Sequence, residues 1–582
     1  MPTISVPQSL LTALLKKHGI SHDVEQMGEQ LPLLGTDIDN CDKETLDIEI
    51  FPDRPDLLSG ETLAHAIRPF LHGSDANPEM KTRPSGITMH VDEQLKNIRP
   101  VIMGAVVKGI SLPENSSEQE VFIKGLMDHQ EKLHFALGRG RKRASIGVHD
   151  LATITPPFRV VSASGNHSFV PLGEAAEMDL ETILTQHPKG VDYAHLLESK
   201  DEYPLILDAN EDVLSFPPII NGNHTTVTHK TRDFFIDVTG WDQRACEASL
   251  MLICLQLQER GGTVETVEVT TCDGDIISTP NGQGKVHLVP EELVTNLLGR
   301  TFTDAELSHA INRMGGHFSG KSDAPDGSPE RASKMSEVSK GGSLLQFVMP
   351  RWRFDILHPV DLVEDIAIGH GYEDLGEDLP VAQLTAQPRQ DHNMRRRLRD
   401  SMQGLGLMQI QSLTLSNETD QFTNMRWEQQ HDVTSITNPI TVDHTMLRQF
   451  LLPGLIRLLA SNRHHDLPQG VYELGTVVRN HVNSDRLAFL TAERSGGFAA
   501  IRGRIQAMCI DLGINEWSAE PLEPGDGPWL AGRGAKLIVN DTWVGCFGEL
   551  DPAVCMKYEL RVPINGAEID ITALVNLLED PV

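Results

Sequence analysis

The residues best suited to chemistry are four acids near position 360. Asp355 lies in a loop after an alternating apolar run, and Asp361, Glu364 and Asp365 follow in a segment that Pro359 opens as a predicted helix. The i, i+3, i+4 spacing places the last three on one helix face, where their carboxylates repel one another unless a cation binds between them. Such oxygen ligands suit a hard divalent ion such as Mg²⁺. Acids near a helix N-terminus also complement its dipole without a metal, so both interpretations stay open.

A second polar group lies in apolar sequence near position 230. Asp237 and Thr239 are two apart in FFIDVTG, a predicted strand, and therefore share one strand face. Ser215 stands just before a Pro217-Pro218 corner. These side chains could line a pocket. From the residues alone, the solvent face of a sheet is the simpler interpretation.

Two further motifs have weaker chemical implications. The segment GRGRKRASIG (138–147) is basic in an acidic chain; it predicts either a phosphate contact or a solvated loop that balances nearby acids. Residues 315–322, GGHFSGKS, satisfy the pattern of a phosphate-binding loop. That motif requires a buried strand before it and a helix at its lysine. Here a predicted amphipathic helix precedes it and a polar loop follows, so we do not expect a nucleotide site.

Composition narrows the class of protein. The 582 residues are enough for several domains, and 82 acidic against 50 basic residues give a net charge of −32. This balance argues against general affinity for nucleic acids or membranes, so any RNA contact must come from local basic patches. The seven cysteines contain no C-x-x-C pair, which favours reduced thiols. We find no signal peptide and no membrane-spanning run, and expect a soluble cytoplasmic protein.

The sequence of residues 350–372, PRWRFDILHPVDLVEDIAIGHGY, resembles the signature of the β subunit of phenylalanyl-tRNA synthetase. An R-x-D-I loop leads into a D-L-x-E-[DE] helix and a G-Y ending. The resemblance runs from residue 1 to the C-terminus, in the short archaeal and eukaryotic form; FPDRPDLLS (51–59) and YELG (472–475) also match. It implies that Asp355, Asp361, Glu364 and Asp365 bind Mg²⁺ near a partner subunit.

The same resemblance assigns a role to the second polar group. In the family, a domain of this region hydrolyses tyrosine wrongly attached to the phenylalanine tRNA. A serine before P-P-I-I-N and the Asp and Thr of D-V-T-G line its pocket. They correspond here to Ser215, Asp237 and Thr239.

The predicted fold class is α+β and multidomain. We expect an N-terminal α/β module with a linker over residues 74–86 (1–85 in all), a tRNA-editing domain (86–270) and a helix-rich module ending in the acidic helix (276–378). A class II synthetase-like antiparallel sheet domain, inactive in synthesis, completes the chain (390–582). The inactivity follows from two missing phosphate-clamping arginines, because GRGAKL (532–537) has Leu537 at its last place and YELG lacks the other. Residues 319–343 read as a flexible surface insertion.

The resemblance also implies partners. The chain is expected to be the β subunit of an α₂β₂ phenylalanine–tRNA ligase, with ATP, phenylalanine and the acceptor end of tRNA(Phe) on the α subunit. Two other classes remain: a tRNA-associated scaffold that has lost editing, and a P-loop nucleotidase.

Overall fold

The computed structural model describes residues 2–112, 116–197, 202–323, 343–376, 386–389 and 391–578. The chain divides into two compact units, residues 1–379 and residues 380–582. Helices and sheets are mixed in both, which confirms the α+β, multidomain prediction in its coarse form. The assignment of each predicted domain stays a prediction. Among the described helices, none is long and apolar enough to cross a membrane.

The first part of the N-terminal unit is a three-stranded antiparallel sheet, in the order β1-β3-β2, covered by helices. The leucine stripe of the first helix packs into the core, as its spacing predicts. The third helix has Ser59 as its N-cap. The elements are β1 Thr3–Pro7, α1 Gln8–Lys16, α2 Val24–Gln30, β2 Thr36–Cys41, β3 Thr45–Ile50 and α3 Gly60–His72.

A ten-stranded sheet forms the middle of this unit. Its order is β12-β11-β10-β7-β4-β14-β5-β13-β6, with β15 pairing with β14. Apolar cores lie on both faces, and α7 packs against one of them. The elements are β4 Thr82–Val91, β5 Val101–Lys108, α4 Ser116–Ala136, β6 Ala144–Asp150, β7 Phe158–Ala163, β8 Ser168–Phe169, β9 Met178–Asp179, α5 Leu180–Gln186, α6 Pro188–Tyr193, β10 Tyr203–Leu207, β11 Val213–Phe216, β12 Ile220–Asn221, β13 Phe234–Gly240, α7 Gln243–Glu259, β14 Thr263–Thr270 and β15 Ile276–Thr279.

The last part of the unit packs helices on a three-stranded sheet of order β16-β18-β17. A capping box between Thr303 and Glu306 begins α9. Pro359 occupies the first turn of α10, as predicted. The elements are β16 Lys285–Pro290, α8 Glu291–Leu298, α9 Asp304–Arg313, β17 His317–Asp323, β18 Ser343–Met349 and α10 Pro359–His370.

The C-terminal unit is built on a seven-stranded sheet of order β19-β22-β23-β27-β26-β25-β24. Apolar cores lie on both of its faces, under α13 on one side and α12 on the other. Strands β24 to β27 form an antiparallel meander, and Asn540 and Asp541 make the turn between β25 and β26 with positive φ. The elements are α11 His392–Gly404, β19 Met408–Gln409, β20 Leu415–Ser416, β21 Met446–Leu447, α12 Leu452–Ser461, β22 Gln469–Arg479, β23 Val482–Ala492, α13 Phe498–Asp511, β24 Trp517–Pro521, β25 Trp529–Val539, β26 Thr542–Leu550, α14 Pro552–Cys555, β27 Ile564–Asp570 and α15 Ile571–Leu577.

Two local predictions need correction. The predicted linker over residues 74–86 ends in β4, which begins at Thr82 and pairs in parallel with β14 and β7. The predicted insertion over residues 319–343 begins inside β17 and ends in β18. Its remaining residues, 324–342, lie outside the described residues. In both places polar and glycine-rich composition concealed strands whose backbone pairing comes from distant segments.

Candidate functional site

A cavity of about 300 Å³ lies where the two ends of the ten-stranded sheet approach each other. One wall comes from β13 and β6, at one end of the strand order, and the other from β11 and β12, at the opposite end. Asn221 and Arg141 bridge the two walls, because Asn221 Nδ2 donates to the Val148 carbonyl at 3.5 Å and Arg141 donates to the Pro218 and Ile219 carbonyls. The sheet therefore encloses a site of small-molecule size.

Asp237 is the buried carboxylate of this cavity. It lies in the middle of β13, is 1% exposed, and its Oδ2 is 2.7 Å from Nε2 of His149 on the neighbouring strand β6. The other ring nitrogen of His149 is 2.8 Å from the hydroxyl of Thr225, which donates to the Gly222 carbonyl. His149 thus fixes one carboxylate oxygen. The other, Oδ1, has no hydrogen-bond donor among the described residues, and Asp237 lines the cavity.

The other two predicted residues of this group differ in position. Ser215 lines the cavity, and its hydroxyl donates to Asn221 Oδ1 at 3.3 Å. Thr239 shares the strand face of Asp237, as predicted, but it lies two residues further along β13, opposite Ser145, and does not line the cavity. Its hydroxyl accepts from Nε of the buried Arg99 at 2.9 Å and is 3.0 Å from the hydroxyl of Ser145. Thr239 therefore supports the wall, whereas Ser215 and Asp237 form part of it.

Gly147 also lines this cavity, and no motif in the sequence singled it out. It pairs directly with Asp237 across the β6–β13 ladder. A Cβ atom there would lie 1.9 Å from Asp237 Oδ2 and 2.7 Å from His149 Nε2, distances that no real structure tolerates. A glycine inside a strand often marks such a close approach. That signal was present in ASIGVHD, but the identity of the group it accommodates depends on strand register.

The basic segment before β6 divides into buried and exposed parts. Arg141 is buried; it donates to Glu131 at 2.7 Å and its guanidinium lies 4.3 Å from the centre of the Tyr193 ring. The nearby His134, whose Nδ1 is 3.5 Å from the Glu131 carboxylate, and the charge of Arg141 hold the pKa of Glu131 at about 2, against the effect of burial. Arg141 is therefore part of the cavity wall. Arg139 and Lys142 are exposed, and phosphate binding by them stays a prediction.

The four acids near position 360 line a separate cleft of about 580 Å³ in the N-terminal unit. The buried Arg353 donates to Asp355 at 2.6–3.1 Å and to both oxygens of Asp365 at 2.8 and 2.9 Å. Asp361 accepts from the backbone N–H groups of Leu357 and His358. Burial raises the pKa of Asp365 to about 6 although Arg353 is beside it.

These contacts decide how the acids relate to a metal. Asp355 and Asp365 share one guanidinium, that of Arg353, and Asp361 caps its own helix, which is the metal-free role left open above. Glu364 is exposed. In the part of the chain that the structure describes, no three His, Cys, Asp or Glu side chains are placed to hold a metal ion. As arranged, this set does not fit Mg²⁺, and the Mg²⁺ site stays a prediction.

Comparison with known proteins identifies the family. Residues 375–571 match the model of the phenylalanyl tRNA synthetase beta chain CLM domain, residues 99–268 that of the B3/4 domain, and residues 288–372 that of the tRNA synthetase B5 domain. The phenylalanine–tRNA ligase beta subunit of Methanococcoides burtonii is 38% identical over 572 residues, which cover 98% of this chain and 100% of the relative. The chain belongs to the phenylalanine–tRNA ligase β-subunit family. The members of this family are subunits of an aminoacyl-tRNA synthetase.

Two other matches agree with this membership. The phenylalanine–tRNA ligase beta subunit of Methanosarcina barkeri is 37% identical, over 95% of this chain and 96% of the relative. An N-terminal fragment of the phenylalanyl-tRNA synthetase β subunit from Pyrococcus horikoshii has a TM-score of 0.55 and 32% identity. It covers 64% of this chain and 100% of the fragment. The family resemblance predicted from the sequence is confirmed.

In this chain, the segment that matches the phosphate-loop pattern forms a strand. His317–Asp323 forms β17 and pairs with β18, so no helix begins at Lys321. The ammonium of Lys321 lies 2.7 Å from Glu291 and 3.3 Å from Asp304. With the lysine engaged by two acids and the backbone extended in an edge strand, the segment has no phosphate cradle.

The cluster around Arg353 provides a test of what these acids do. Arg353→Leu should lower the free energy of unfolding by about 3–5 kcal/mol, because it leaves two carboxylates without their buried partner. Arg351→Leu is the matched control: Arg351 pairs with Glu247 at a quarter-exposed position, so its loss should cost about 1 kcal/mol or less. Thermal and urea denaturation of the full chain measure both. Equal losses in the two variants would contradict a structural role for the Arg353 cluster.

Proposed function

We propose that this chain is the β subunit of a heteromeric phenylalanine–tRNA ligase and that it removes tyrosine from mischarged tRNA(Phe). The α partner would activate phenylalanine with ATP and charge the tRNA. The observation that carries the editing proposal is the buried Asp237 at the wall of a 300 Å³ cavity, within the residues that match the B3/4 model.

A division of labour between two chains is supported by the C-terminal unit. Where the resemblance implies a phosphate-clamping arginine, β25 has Leu537, which is fully buried in the apolar core. The YELG segment lies in β22, where Glu473 is buried and its carboxylate is 2.8 Å from Arg448. Neither segment offers a free guanidinium to ATP phosphates. Synthesis would therefore take place on another chain, and an α₂β₂ assembly in the cytoplasm is the arrangement we propose.

Selection of tyrosine would follow from the unpaired side of Asp237. The phenol hydroxyl of tyrosine can donate to Oδ1, and Ser215 with Asn221 adds polar groups on the opposite wall. Phenylalanine in the same place would leave a desolvated carboxylate oxygen without a donor, which costs about 1–3 kcal/mol or more for a charged group. A site that hydrogen-bonds the tyrosine hydroxyl can therefore discriminate tyrosine from phenylalanine far better than an apolar pocket that must exclude the hydroxyl.

In this proposal Asp237 recognises the substrate, and His149 is a positioning residue. The imidazole holds Oδ2 at 2.7 Å and so fixes the direction in which Oδ1 points. Gly147 leaves the space that this arrangement needs.

Two other functions have less support. A scaffold without editing would retain the fold but has no need for a buried carboxylate held beside a cavity. A P-loop nucleotidase would need Lys321 free at a helix start, whereas Lys321 lies in a strand between two acids.

The first prediction from the proposed function concerns synthesis. The purified chain alone should form no phenylalanyl-tRNA, since both phosphate-clamping arginines are missing, and addition of an α subunit should restore aminoacylation. Incorporation of labelled phenylalanine into tRNA measures this. Robust charging by the single chain would overturn the division of labour.

The second prediction concerns the carboxylate. Asp237→Ala should slow deacylation of tyrosyl-tRNA by the complex at least about tenfold, because it removes a charged hydrogen-bond partner of the hydroxyl. Phenylalanine charging should stay near normal. Asp192→Ala, at an exposed position of α6, is the control and should change neither rate. Unchanged tyrosine clearance in the Asp237 variant would refute the assignment.

The third prediction concerns Gly147. Gly147→Ala should impair deacylation about as strongly as Asp237→Ala, because its Cβ must displace the Asp237 carboxylate. Gly125→Ala in α4 is the matched control, since a Cβ there has no neighbour within 4 Å. Both variants are compared by tyrosyl-tRNA deacylation and by thermal unfolding. Normal editing with Ala at position 147 would show that Asp237 does not read the substrate in the position described.

A further inference from the structure

The C-terminal unit contains its own cavity, of about 400 Å³, which the editing proposal does not use. It lies on the face of the seven-stranded sheet that carries α12, and side chains of β22, β23, β25, β26 and β27 line it. Trp427, Trp529 and Trp543, three of the six tryptophans of the chain, are among the lining residues. A volume of this size with aromatic walls is typical of small-molecule sites.

The aromatic wall is held in a fixed orientation. The ring of Trp427 stacks on Phe450 with centroids 3.9 Å apart and planes inclined by 18°. Gly527, at φ +87°, lies against the edge of Trp427, where a Cβ would be 2.4 Å from the indole nitrogen. The guanidinium of Arg479 lies 4.5 Å from the centre of the Phe450 ring. Flat rings and a cation therefore meet at one side of the cavity.

Arg479 lies within electrostatic range of Glu568 and Asp570 but forms no direct ion pair with either of them. Its Nε donates to the Gln449 carbonyl at 3.0 Å, and its Nη2 is buried without an acceptor. It makes no ion pair with any residue that the structure describes. Burial, together with the charge of Arg486, lowers the pKa of Arg479 to about 10, so the guanidinium is still charged at neutral pH. Removing a charge from water in this way costs desolvation free energy, which only direct contact with an anion offsets.

The other arginines of the cavity are paired with acids, and one oxygen of the buried Glu568, Oε1, has only Arg486 at 3.9 Å and no hydrogen-bond donor among the described residues. Arg486 lies 3.2 Å from Asp570, and Arg426 lies 2.8 Å from Asp551. The other oxygen of Glu568 accepts from the backbone N–H groups of Leu451 and Leu452 at the start of α12. The remaining lining acids, Glu428 and Asp526, are exposed to solvent. Arg479 is thus the unpaired cation of this cavity among the described residues.

We propose that this cavity binds a small aromatic molecule that carries an anionic group, with its flat ring against the tryptophan wall and its carboxylate or phosphate on Arg479. Free aromatic amino acids and nucleoside monophosphates both have this chemistry and are of suitable size. The site is distinct from the cavity that contains Asp237, and it stands whether or not the chain edits tRNA.

Isothermal titration of the full chain tests the proposal with two ligands, L-phenylalanine and AMP. We expect at least one of them to bind with Kd below about 1 mM. The matched ligands phenethylamine and adenosine, which lack the anionic group, should bind at least about tenfold more weakly. The ligand that binds identifies whether a carboxylate or a phosphate is recognised.

Variants locate the binding. Arg479→Gln should weaken the bound ligand at least about tenfold, whereas Arg396→Gln, at an exposed position of α11, should have no effect. If Arg479→Gln does not fold by circular dichroism, Trp543→Leu decides, because Trp543 is 55% exposed and not needed for the core. Failure of both ligands to bind, equal binding of the uncharged analogues, or unchanged affinity in the folded variant would overturn the proposal.

Discussion

Strand β13 is buried along its whole length, so each polar side chain on it needs a partner within hydrogen-bonding distance. Thr239 obtains Arg99 and Ser145, and Asp237 obtains His149. The partners Ser145 and His149 come from β6, whose register with β13 also places Gly147 opposite Asp237. A slip by one residue would turn Asp237 toward the apolar core on the other face, where Ile236 and Val238 lie. The cavity and its carboxylate therefore depend on this one strand pairing.

The chain handles buried charge in different ways, and the differences separate structural clusters from candidate sites. Arg353 holds two carboxylates at once, and Arg54 binds Asp56 through two hydrogen bonds in the same cleft. These groups satisfy one another inside the protein. Asp237 is satisfied on one oxygen only, and Arg479 has no carboxylate partner among the described residues. Groups that the fold itself leaves half-satisfied beside a cavity are the ones with capacity for a ligand.

Much of the local structure was predictable because its signals are local. The capping box of Thr303, the proline at the first turn of α10 and the alternating residues of β13 all lie within a few residues of the element they define. The cavity was only partly predictable, since Asp237 and His149 are 88 residues apart in sequence and meet through register. Thr239 was placed on the correct strand face, yet no local pattern revealed that Arg99 binds its hydroxyl. The contacts of Asp355 and Asp365 with Arg353 were missed for a different reason. The spacing of acids indicates repulsion, but it does not show which cation relieves it.

Under the proposed function, the burial of Asp237 would explain why recognition of tyrosine is separated from synthesis. Keeping a carboxylate at 1% exposure costs several kcal/mol of desolvation, which a single contact with His149 offsets only in part. Each substrate that enters without a hydroxyl leaves that deficit in place, and each substrate with one relieves it. In a synthetic site for phenylalanine the same group would weaken binding of the correct amino acid. A buried carboxylate of this kind is useful only in a second cavity, which must bind tyrosine and leave phenylalanine unbound.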